Sequence, residues 1–456
     1  MYESKMKTKT YYLVGIGGIG MSAIARYLKE EGNYVFGYDR VCTELTRELE
    51  REGMWIVYED DSSHIANLNV DEVIYTPAIP SDSAILRYIR EKGIPIFKRS
   101  EALGRITRGK KTIAVAGTHG KTTTAGLIAH ILKNSHVGCS AFLGGISNNY
   151  STNFLINHKS DYVVVEADEY DRSFLRLSPF FSLITSIAED HLDIYGNLDN
   201  LEQAFVQFAN LTKENGRLFL KKSLPVRIVS KVSQSTYSLT DVNADYYASN
   251  IRVSEGAYYF DFHTPDKVYH DMKMTYPGRH NIENAVASLS MALSLGVNEC
   301  EFREGLATFK GMKRRFDLRI KTDKTIYYDD YAHHPQEIEA TIKSLKELYP
   351  DKRICGVFQP HLYSRTRDFA DEFAKSLELL DEVVLLPIYP AREKPISGIT
   401  SDTILGKISK QDKYYVEKEQ LLPLLKTLQP ELLVTLGAGD IDRFVEPITE
   451  MIRADE

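Results

Sequence analysis

The chain has 456 residues, of which 43% are hydrophobic and 26% charged, and its formal net charge is −7. This length exceeds that of one ordinary hydrophobic core, so about two to four domains are expected. The negative charge and the lack of a long basic run argue against a nucleic-acid-binding surface.

The cysteines and the apolar runs indicate the cellular compartment of the protein. The four cysteines show no paired spacing, which argues against a disulfide framework or a zinc site and favours a reducing compartment. No apolar run approaches the roughly 20 residues that cross a bilayer, and the first ten residues lack the apolar core of a signal peptide. We therefore expect a cytoplasmic protein that binds no membrane, and the sequence leaves its oligomeric state open.

The first hundred residues alternate strand and helix patterns. YYLV (11–14), YVFGYD (34–39) and DEVIYTPAI (71–79) predict buried strands, and SAIARYLKEEG (22–32) predicts an amphipathic helix. This succession predicts βαβ units around a parallel sheet.

A glycine-rich turn joins the first of these strands to its helix. GIGGIG (15–20) fits the pattern G-x-G-x-x-G, and Asp39 ends the next strand, where dinucleotide-binding folds place an acid on a ribose hydroxyl. Such a turn presents N–H groups to a diphosphate at a helix N-terminus, which suits UDP as well as a nicotinamide dinucleotide. The alternative is a tight turn that only packs a strand against a helix.

A second α/β series follows the basic stretch TRGKKT (107–112). Strands are predicted at IAVAG (113–117), DYVVVEAD (161–168) and FSLITSIAEDH (181–191). The tyrosine-rich residues 236–276 predict extra antiparallel strands, and residues 280–295 predict a helix.

The segment GTHGKTTT (117–124) predicts a shortened ATP-binding loop. The usual pattern is G-x-x-x-x-G-K-[ST], and Val115 stands where its first glycine would be. Gly117 and Gly120 let the backbone curve around phosphate oxygens, and Lys121 supplies a positive charge. The hydroxyl of Thr122 is placed to bind Mg²⁺.

Acidic residues follow the strand YVVVE. Glu166 lies at the carboxyl end of this predicted strand, where ligands bind in open α/β sheets, and could hold Mg²⁺ beside the phosphates. A solvated acid at a strand end is the alternative. The neighbours Asp168, Glu169 and Asp171 are expected to be loop acids rather than direct ligands.

A third α/β unit is predicted after GMKRRFD (311–317). Its strand-like runs are IYYDDYAHHP, RICGVFQPH, EVVLLPIY and LLVTLGAGD. We therefore predict an α/β fold with a Rossmann-like N-terminal domain (1–108), a central P-loop ATPase-type domain with extra antiparallel strands (109–314) and a Rossmann-like C-terminal domain (315–456).

Nine motifs, in order along nearly the whole chain, resemble those of the Mur ligase family of peptidoglycan synthesis. They are GIGGIGMSAIA (15–25), GTHGKTTT (117–124), EADEYDRSF (166–174), EDHLDIYG (189–196), GRHNIENA (278–285), RRFD (314–317), DDYAHHP (329–335), QPHLYSRT (359–366) and LGAGD (436–440). The resemblance implies an enzyme of cytoplasmic cell-wall precursor synthesis, on which cell shape and division depend. It implies that ATP, with Mg²⁺, drives the joining of L-alanine to the lactyl carboxylate of UDP-N-acetylmuramate through an acyl phosphate.

The resemblance also assigns candidate site residues. The UDP-sugar set is Gly15, Gly17, Gly18, Ile19, Gly20, Asp39, Thr76 and Ala78. The ATP set is Gly117, Thr118, His119, Gly120, Lys121, Thr122, Thr123, Asn281, Asn284, Arg315 and Asp330. The metal set is Thr122, Glu166 and His191, and the catalytic set is Lys121, Glu166, His191, His333, His361 and Arg365.

Several of these residues have plainer interpretations. His191 is assigned to a second Mg²⁺ by the resemblance, although Mg²⁺ prefers oxygen ligands and a lone histidine is usually structural. Asn281 and Asn284 are assigned to adenine but would also suit a helix N-cap. Arg315 could be an ordinary linker charge or, beside Arg314, a clamp on phosphates when domains close.

The expected amino-acid site contains a departure from the family pattern. Leu362 of QPHLYSRT stands where many members carry arginine. If that arginine holds the amino-acid carboxylate, Arg365, Arg367 or another residue must take its place. His333 and His361 are expected beside the incoming amino acid.

Three rival functions remain open at this stage. A nicotinamide-dependent oxidoreductase would use GIGGIG but leaves GTHGKTTT unexplained, and an ATP-gated binding protein would bind ATP without chemistry. A recycling ligase of the same family would add a tripeptide to the same sugar nucleotide, although the GIGG turn argues against it.

Overall fold

The computed structural model describes residues 8–189, 192–391 and 393–455. The N-terminal part of these residues forms a five-stranded sheet. Its strands are β1 Thr10–Val14, β2 Tyr34–Tyr38, β3 Trp55–Val57, β4 Glu72–Tyr75 and β5 Ile96–Lys98. The helices that alternate with them are α1 Ile19–Glu30, α2 Glu44–Arg51, α3 Ser63–Ala66, α4 Ala84–Glu91 and α5 Arg99–Ile106. All pairings are parallel, in the order β3-β2-β1-β4-β5.

The central strand β1 is apolar because both faces of the first sheet are covered. Leu13 belongs to a buried cluster with Ile24 of α1, whereas Val14 belongs to a second cluster with Ile85 of α4. A parallel strand covered on both faces has a continuous apolar sequence rather than an alternating one. The turn between β1 and α1 therefore follows a strand that is buried on both faces.

The second sheet has seven strands. They are β6 Lys111–Ala116, β7 Ser140–Ser147, β8 Thr152–Leu155, β9 Tyr162–Glu166, β10 Phe181–Ile184, β11 Arg217–Lys221 and β12 Ser233–Tyr237. Their order is β12-β11-β10-β6-β9-β7-β8, and the pairings are parallel except for β7 with β8. The accompanying helices are α6 Lys121–Lys133, α7 Leu192–Tyr195 and α8 Leu198–Asn210. The central position of β6 places the phosphate-loop sequence at the middle of the sheet edge.

A small third sheet and two helices follow. Its strands, in the order β13-β14-β15, are β13 Tyr247–Ser254, β14 Ala257–His263 and β15 Val268–Met274. The helices are α9 Arg279–Ser294 and α10 Glu299–Thr308. The side chain of Asn298 caps α10 by accepting the N–H of Glu301.

The C-terminal sheet has six strands. They are β16 Asp317–Lys321, β17 Ile326–Asp330, β18 Ile354–Phe358, β19 Glu382–Leu385, β20 Lys413–Tyr415 and β21 Leu432–Leu436. Their order is β16-β17-β21-β18-β19-β20, with only the β16–β17 pairing antiparallel among them. The helices are α11 Pro335–Leu348, α12 Tyr363–Asp368, α13 Ala370–Leu377, α14 Asp402–Leu405, α15 Leu421–Leu428 and α16 Val445–Ala454.

The chain divides into two compact units. The first extends to Ser249 and includes Asp261–His270 and Glu283–Phe309, whereas the second consists of Asn250–Phe260, Asp271–Ile282 and the chain from Lys310. The first and second sheets lie in the first unit, and the C-terminal sheet lies in the second. Among the described residues, no helix is both long enough and apolar enough to span a bilayer.

The predicted α/β class and its parallel sheets are confirmed. The strand predicted over 71–79 ends at Tyr75, because the chain then turns and the N–H of Ile79 donates to the carbonyl of Thr76. Strands β3 and β5 were not predicted, since three residues are too short to show a pattern. In the tyrosine-rich region, β12 joins the second sheet and β13 to β15 form their own.

Candidate active site

The first glycine turn lies at the carboxyl end of β1. Gly15 has φ +86°, and its N–H and that of Ile16 donate to the carbonyl of Tyr38 at 2.7 and 3.1 Å. Gly18 forms the N-cap of α1, so the helix begins directly after the turn. This arrangement directs the N-terminus of α1 and its partial positive charge toward the sheet edge.

The other members of the predicted UDP-sugar set surround this turn. Asp39 accepts the N–H of Gly17 at 2.8 Å and that of Val41 at 3.2 Å, so its carboxylate braces the turn. The methyl group of Thr76 lies against Gly15, where an added Cβ would come within 2.4 Å. The N–H of Ala78 lies 3.5 Å from Thr76 Oγ1.

The second glycine loop connects β6 to α6. Gly117 has φ +135° and Gly120 has φ +82°, a region that side-chain-bearing residues rarely adopt. A Cβ on Gly117 would lie 2.0 Å from Thr185 Oγ1, and one on Gly120 would lie 2.8 Å from Asn284 Oδ1. The loop therefore requires glycine at both positions for conformation and for space.

Residues after β10, which sequence reasoning missed, support this loop. Ser186 Oγ accepts the N–H of His119 at 2.8 Å and lies 3.0 Å from Thr118 Oγ1. Thr185 Oγ1 donates to the carbonyls of Ala116 and His119. The hydroxyl-rich sequence after strand FSLI was the available signal.

Lys121 forms a buried ion pair with Glu169. Its Nζ lies 2.9 and 2.8 Å from the two carboxylate oxygens and also donates to the carbonyl of Gly117 at 2.5 Å. Burial lowers the pKa of Lys121, but the carboxylates of Glu169, Asp168 and Glu166 outweigh this effect, so its pKa lies above the ordinary value. The amine is therefore charged at neutral pH.

Glu169 is thus more than the loop acid that the sequence predicted. Its side chain is fully buried, and its backbone carbonyl accepts the hydroxyl of Tyr195 at 2.6 Å. A 3-10 helix, Tyr170–Arg176, follows Glu169 directly, and Asp171 and Arg172 within it have φ +53°. Sequence alone gave no signal for which acid of EADEYD turns inward.

A cavity of about 180 Å³ lies within the first unit and is lined by residues from both the first and the second α/β series. Ile19 and Gly20 line it from the start of α1, and Glu166 and Asp168 line it from the end of β9. Arg99 of α5 completes it, with Nη2 donating to Asp168 Oδ2 at 3.1 Å. A Cβ on Gly20 would lie 2.4 Å from Arg99 Nη1, so glycine allows the guanidinium to lie against α1.

The predicted metal ligands can be located only in part. Thr122 lies buried in the first turn of α6, and the Glu166 carboxylate lies against Gly144 of β7. His191 lies outside the described residues. Among the residues that are described, no three His, Cys, Asp or Glu side chains form a metal-binding group. A hydroxyl and a carboxylate fit Mg²⁺, which commonly binds through one or two carboxylates together with substrate phosphates.

The two asparagines predicted for adenine have local roles on helix α9. Asn281 is buried, and its Nδ2 donates to the carbonyl of Pro277 at 2.6 Å. Asn284 Oδ1 lies where a Cβ on Gly120 would clash, so this side chain borders the phosphate loop.

In the second unit, the Asp330 carboxylate holds three segments together. It accepts the N–H groups of Phe316 and Ala332 at 3.1 and 2.9 Å and the hydroxyl of Thr341 at 2.9 Å. Burial raises the pKa of Asp330 to about 6 despite the opposing charge of Arg315. The guanidinium of Arg315 lies over the ring of Tyr331, 4.7 Å from its centroid.

The neighbouring Arg314 is hydrogen-bonded to residues of the C-terminal α/β unit. Its Nη2 donates to the carbonyl of Gly437 at 2.5 Å, and its Nε lies 3.3 Å from Asp329 Oδ2. Of Arg314 and Arg315, Arg315 is therefore the better candidate for a ligand contact.

Two histidines meet at the carboxyl ends of β17 and β18. The ring centroids of His333 and His361 lie 6.0 Å apart. The ring of Tyr389 stacks on that of His361, with centroids 5.7 Å apart. Burial, together with the positive charge of Arg365, lowers the pKa of each histidine to about 4. Both imidazoles are therefore neutral at pH 7.

The tautomer of His333 follows from its surroundings. Nδ1 lies 3.0 Å from the carbonyl oxygen of Tyr331, which can only accept, so Nδ1 carries the hydrogen. Nε2 then presents a lone pair. This lone pair can accept a hydrogen bond from the amine of a bound ligand.

Arg365 and Arg367 are the two candidates to hold the amino-acid carboxylate in the absence of an arginine at position 362. Arg365 suits this role better. Arg367 donates to Asp368 from Nε at 2.7 Å and from Nη2 at 3.1 Å, and half of its side chain is exposed. Arg365 instead lies close enough to both histidines to lower their pKa values. Leu362 has φ +72° and begins the turn into α12.

The neutral histidines predict a loss of stability in acid. Because the pKa of His333 falls from 6.5 to about 4 on folding, the unfolded chain binds more protons between these values. Its contribution, about 3 kcal/mol at most, is complete above pH 6.5 and disappears as the pH falls toward 4. The buried Asp330 has the opposite effect on the pH dependence of stability. Because its pKa is raised on folding, its contribution is present at low pH and is lost as the pH rises toward 6.

Thermal melting of the wild type and of His333→Gln from pH 7 to pH 4 measures this contribution. The difference between the two melting temperatures should shrink as the pH falls through 6.5 toward 4. A difference that stays constant over this range would show that His333 is not kept neutral by burial.

These features define a multidomain α/β nucleotide-binding protein, with one glycine loop on the first sheet and a phosphate loop on the second. Three family models match successive parts of the chain: "Mur ligase family, catalytic domain" at residues 10–111, "Mur ligase middle domain" at 115–292 and "Mur ligase, glutamate ligase domain" at 314–439. The chain belongs to the Mur ligase family.

Individual relatives support this assignment. The chain is 48% identical over 452 residues to UDP-N-acetylmuramate–L-alanine ligase of Porphyromonas gingivalis, covering 98% of this chain and 99% of that one. The crystal structure of UDP-N-acetylmuramate-alanine ligase from Thermotoga maritima matches with TM-score 0.84 at 30% identity, covering 98% and 100% of the chains. A murein peptide ligase from Psychrobacter arcticus, at 20% identity and TM-score 0.70 over 98% of both chains, shares the fold.

Proposed function

We propose that this protein joins L-alanine to the lactyl carboxylate of UDP-N-acetylmuramate and converts ATP to ADP and phosphate. The observation that carries this proposal is the 48% identity to a UDP-N-acetylmuramate–L-alanine ligase over almost the full length of both chains. The tripeptide-adding alternative has weaker support, since the murein peptide ligase shares 20% identity. The expected location in the cytoplasm remains a prediction.

The proposed reaction has two chemical steps. An oxygen of the lactyl carboxylate attacks the γ-phosphorus, the bond to ADP breaks, and an acyl phosphate forms. The uncharged amine of L-alanine then attacks the acyl carbon, phosphate leaves with the oxygen that came from the carboxylate, and the nitrogen releases one proton to solvent. The site must therefore stabilise several negative groups at once.

In the first unit, Lys121 is the charged group of the phosphate loop, and Gly117 and Gly120 shape that loop. The buried amine would contact the terminal phosphates and stabilise the charge that moves during transfer. Thr122 and Glu166 would hold Mg²⁺, with His191 as a further proposed ligand. When bound, the ion would neutralise part of the triphosphate charge.

The sugar nucleotide would bind within the first unit. The diphosphate would bind at the turn before α1, and the muramoyl group would extend into the cavity that Gly20 and Arg99 line. Its lactyl carboxylate would then lie between Arg99 and the end of β9. A carboxylate bound by a guanidinium forms a strong charge-assisted hydrogen bond.

This placement predicts a specific defect for Arg99→Ala. The Michaelis constant for UDP-N-acetylmuramate should rise by about 10- to 100-fold, because hydrogen bonds to charged groups contribute roughly 1.5–3 kcal/mol. The constant for ATP should stay near the wild-type value. Lys98→Ala is the matched control, since Lys98 is 41% exposed and pairs with Asp171. Equal effects of the two variants would contradict the placement.

In the second unit, Arg365, His333 and His361 would bind L-alanine. The guanidinium would hold the carboxylate, and the lone pair on His333 Nε2 would accept a hydrogen bond from the amine. Because the pKa of His333 is about 4, its imidazole is a weak base. It would therefore orient the amine of L-alanine and would not hold a proton taken from that amine. Arg315 and the buried Asp330 would contact the nucleotide, as the family resemblance implies.

We also propose domain boundaries near 108/109 and 314/315. The family models support them, since the first ends at residue 111, the second begins at 115 and the third begins at 314.

A phosphate-release assay tests the function. The purified enzyme receives ATP and Mg²⁺ with each of L-alanine, glycine, L-serine and a tripeptide, with and without UDP-N-acetylmuramate. Release should require the sugar nucleotide and be fastest with L-alanine. Faster turnover with the tripeptide would favour the recycling ligase, and no release with any acceptor would contradict ligation.

A further inference from the structure

The buried carboxylate of Glu169 has no role in the chemistry described so far. Both of its oxygens lie within 2.9 Å of Lys121 Nζ, and the side chain is fully buried. Its backbone is fixed by the hydroxyl of Tyr195. The amine that should bind phosphate is therefore paired with a buried acid.

A nucleotide that enters the loop must change this pair. Its phosphates compete for Lys121 and bring negative charge close to Glu169, Asp168 and Glu166. Asp168 keeps Arg99 as a partner, but the carboxylate of Glu169 would share its cation with the phosphates. A buried charge that loses its partner is strongly unfavourable. A divalent cation that arrives with the nucleotide would restore the balance.

We propose that Glu169 is a positioning residue that makes nucleotide binding depend on the divalent cation. It pairs with Lys121 and opposes a nucleotide that arrives without a metal ion. This inference rests on the proposed ATP and Mg²⁺ binding of the same loop. It assigns to Glu169 the discrimination between free and metal-bound nucleotide, not the chemical step.

The test measures ADP affinity by calorimetry in Mg²⁺ and in EDTA. For the wild type, we expect the dissociation constant in EDTA to exceed that in Mg²⁺ by about 100-fold. In Glu169→Gln this ratio should fall at least tenfold, mainly because ADP binds more tightly in EDTA. Glu169→Asp keeps the charge but shortens its reach, so its ratio should lie between the other two.

The matched control is Asp171→Asn. Asp171 belongs to the same acidic run but pairs with Lys98. In Asp171→Asn, the ratio of the ADP dissociation constants in EDTA and in Mg²⁺ should therefore equal that of the wild type. An unchanged ratio in a folded Glu169 variant, either Gln or Asp, would overturn the inference. A wild-type protein that binds no ADP in Mg²⁺ would instead overturn the proposed nucleotide site, so the two failures are distinguishable.

Discussion

Lys121→Ala should lower the rate of phosphate release by about 10³-fold at saturating substrates. A charged amine about 4 Å from a phosphate contributes roughly 4 kcal/mol at an effective dielectric constant of about 20. Each 1.36 kcal/mol of transition-state stabilisation corresponds to about a tenfold change in rate. A continuous phosphate assay with ATP, L-alanine and UDP-N-acetylmuramate measures the effect.

The control for this substitution is Lys133→Ala. Lys133 lies in the last turn of the same helix, and its amine lies over the ring of Tyr150. The Lys133 variant should retain nearly full activity. Because Lys121→Ala removes the partner of the buried Glu169, circular dichroism must first show that the variant is folded. A folded Lys121→Ala protein with full activity would contradict the assignment of the phosphate loop.

Arg365→Ala should raise the Michaelis constant for L-alanine by about 10- to 100-fold. Arg365 is the arginine of α12 that lies near His333 and His361, and a charged hydrogen bond contributes roughly 1.5–3 kcal/mol. The constants for ATP and UDP-N-acetylmuramate should change little. Initial rates measured with one substrate varied at a time separate these effects.

Arg367→Ala provides the matched control on the same helix. Its guanidinium is bound to Asp368 and half exposed, so its removal should leave the L-alanine constant near the wild-type value. A large effect of Arg367→Ala with little effect of Arg365→Ala would show that the carboxylate binds elsewhere. Leu362→Arg would then test whether the common family residue restores affinity.

The sequence predicted the framework well where one pattern determined both strand and turn. YYLV followed by GIGGIG, and IAVAG followed by THGK, each join a buried strand to a helix through glycines. Such turns are local, so their residues specify them directly. The three-residue strands β3 and β5 escaped prediction, since they are too short to show a pattern.

The contacts that complete the candidate site could not be predicted, because they join distant parts of the chain. Arg99 meets Asp168 across 69 positions, and Ser186 supports His119 across 67. Neither pair leaves a periodic signal in the sequence. Glu169 was predicted as a loop acid, yet it is the buried partner of Lys121, which lies 48 positions earlier in the chain.

The histidine pair shows what structure adds to a motif. Sequence reasoning placed His333 and His361 near the amino acid but left their protonation open. Burial and the nearby charge of Arg365 lower both pKa values to about 4, so the two rings are neutral acceptors at pH 7. A property of this kind depends on solvent exclusion, which the motif does not encode.

Transfer of a labelled oxygen tests the proposed chemistry most directly. UDP-N-acetylmuramate with ¹⁸O in its lactyl carboxylate is turned over with ATP and L-alanine, and the released phosphate is analysed by mass spectrometry. If the γ-phosphoryl group moves to that carboxylate, one ¹⁸O atom should appear in each phosphate formed from fully labelled substrate. Phosphate that contains no ¹⁸O, released together with the alanyl product, would show that the ligation follows another route.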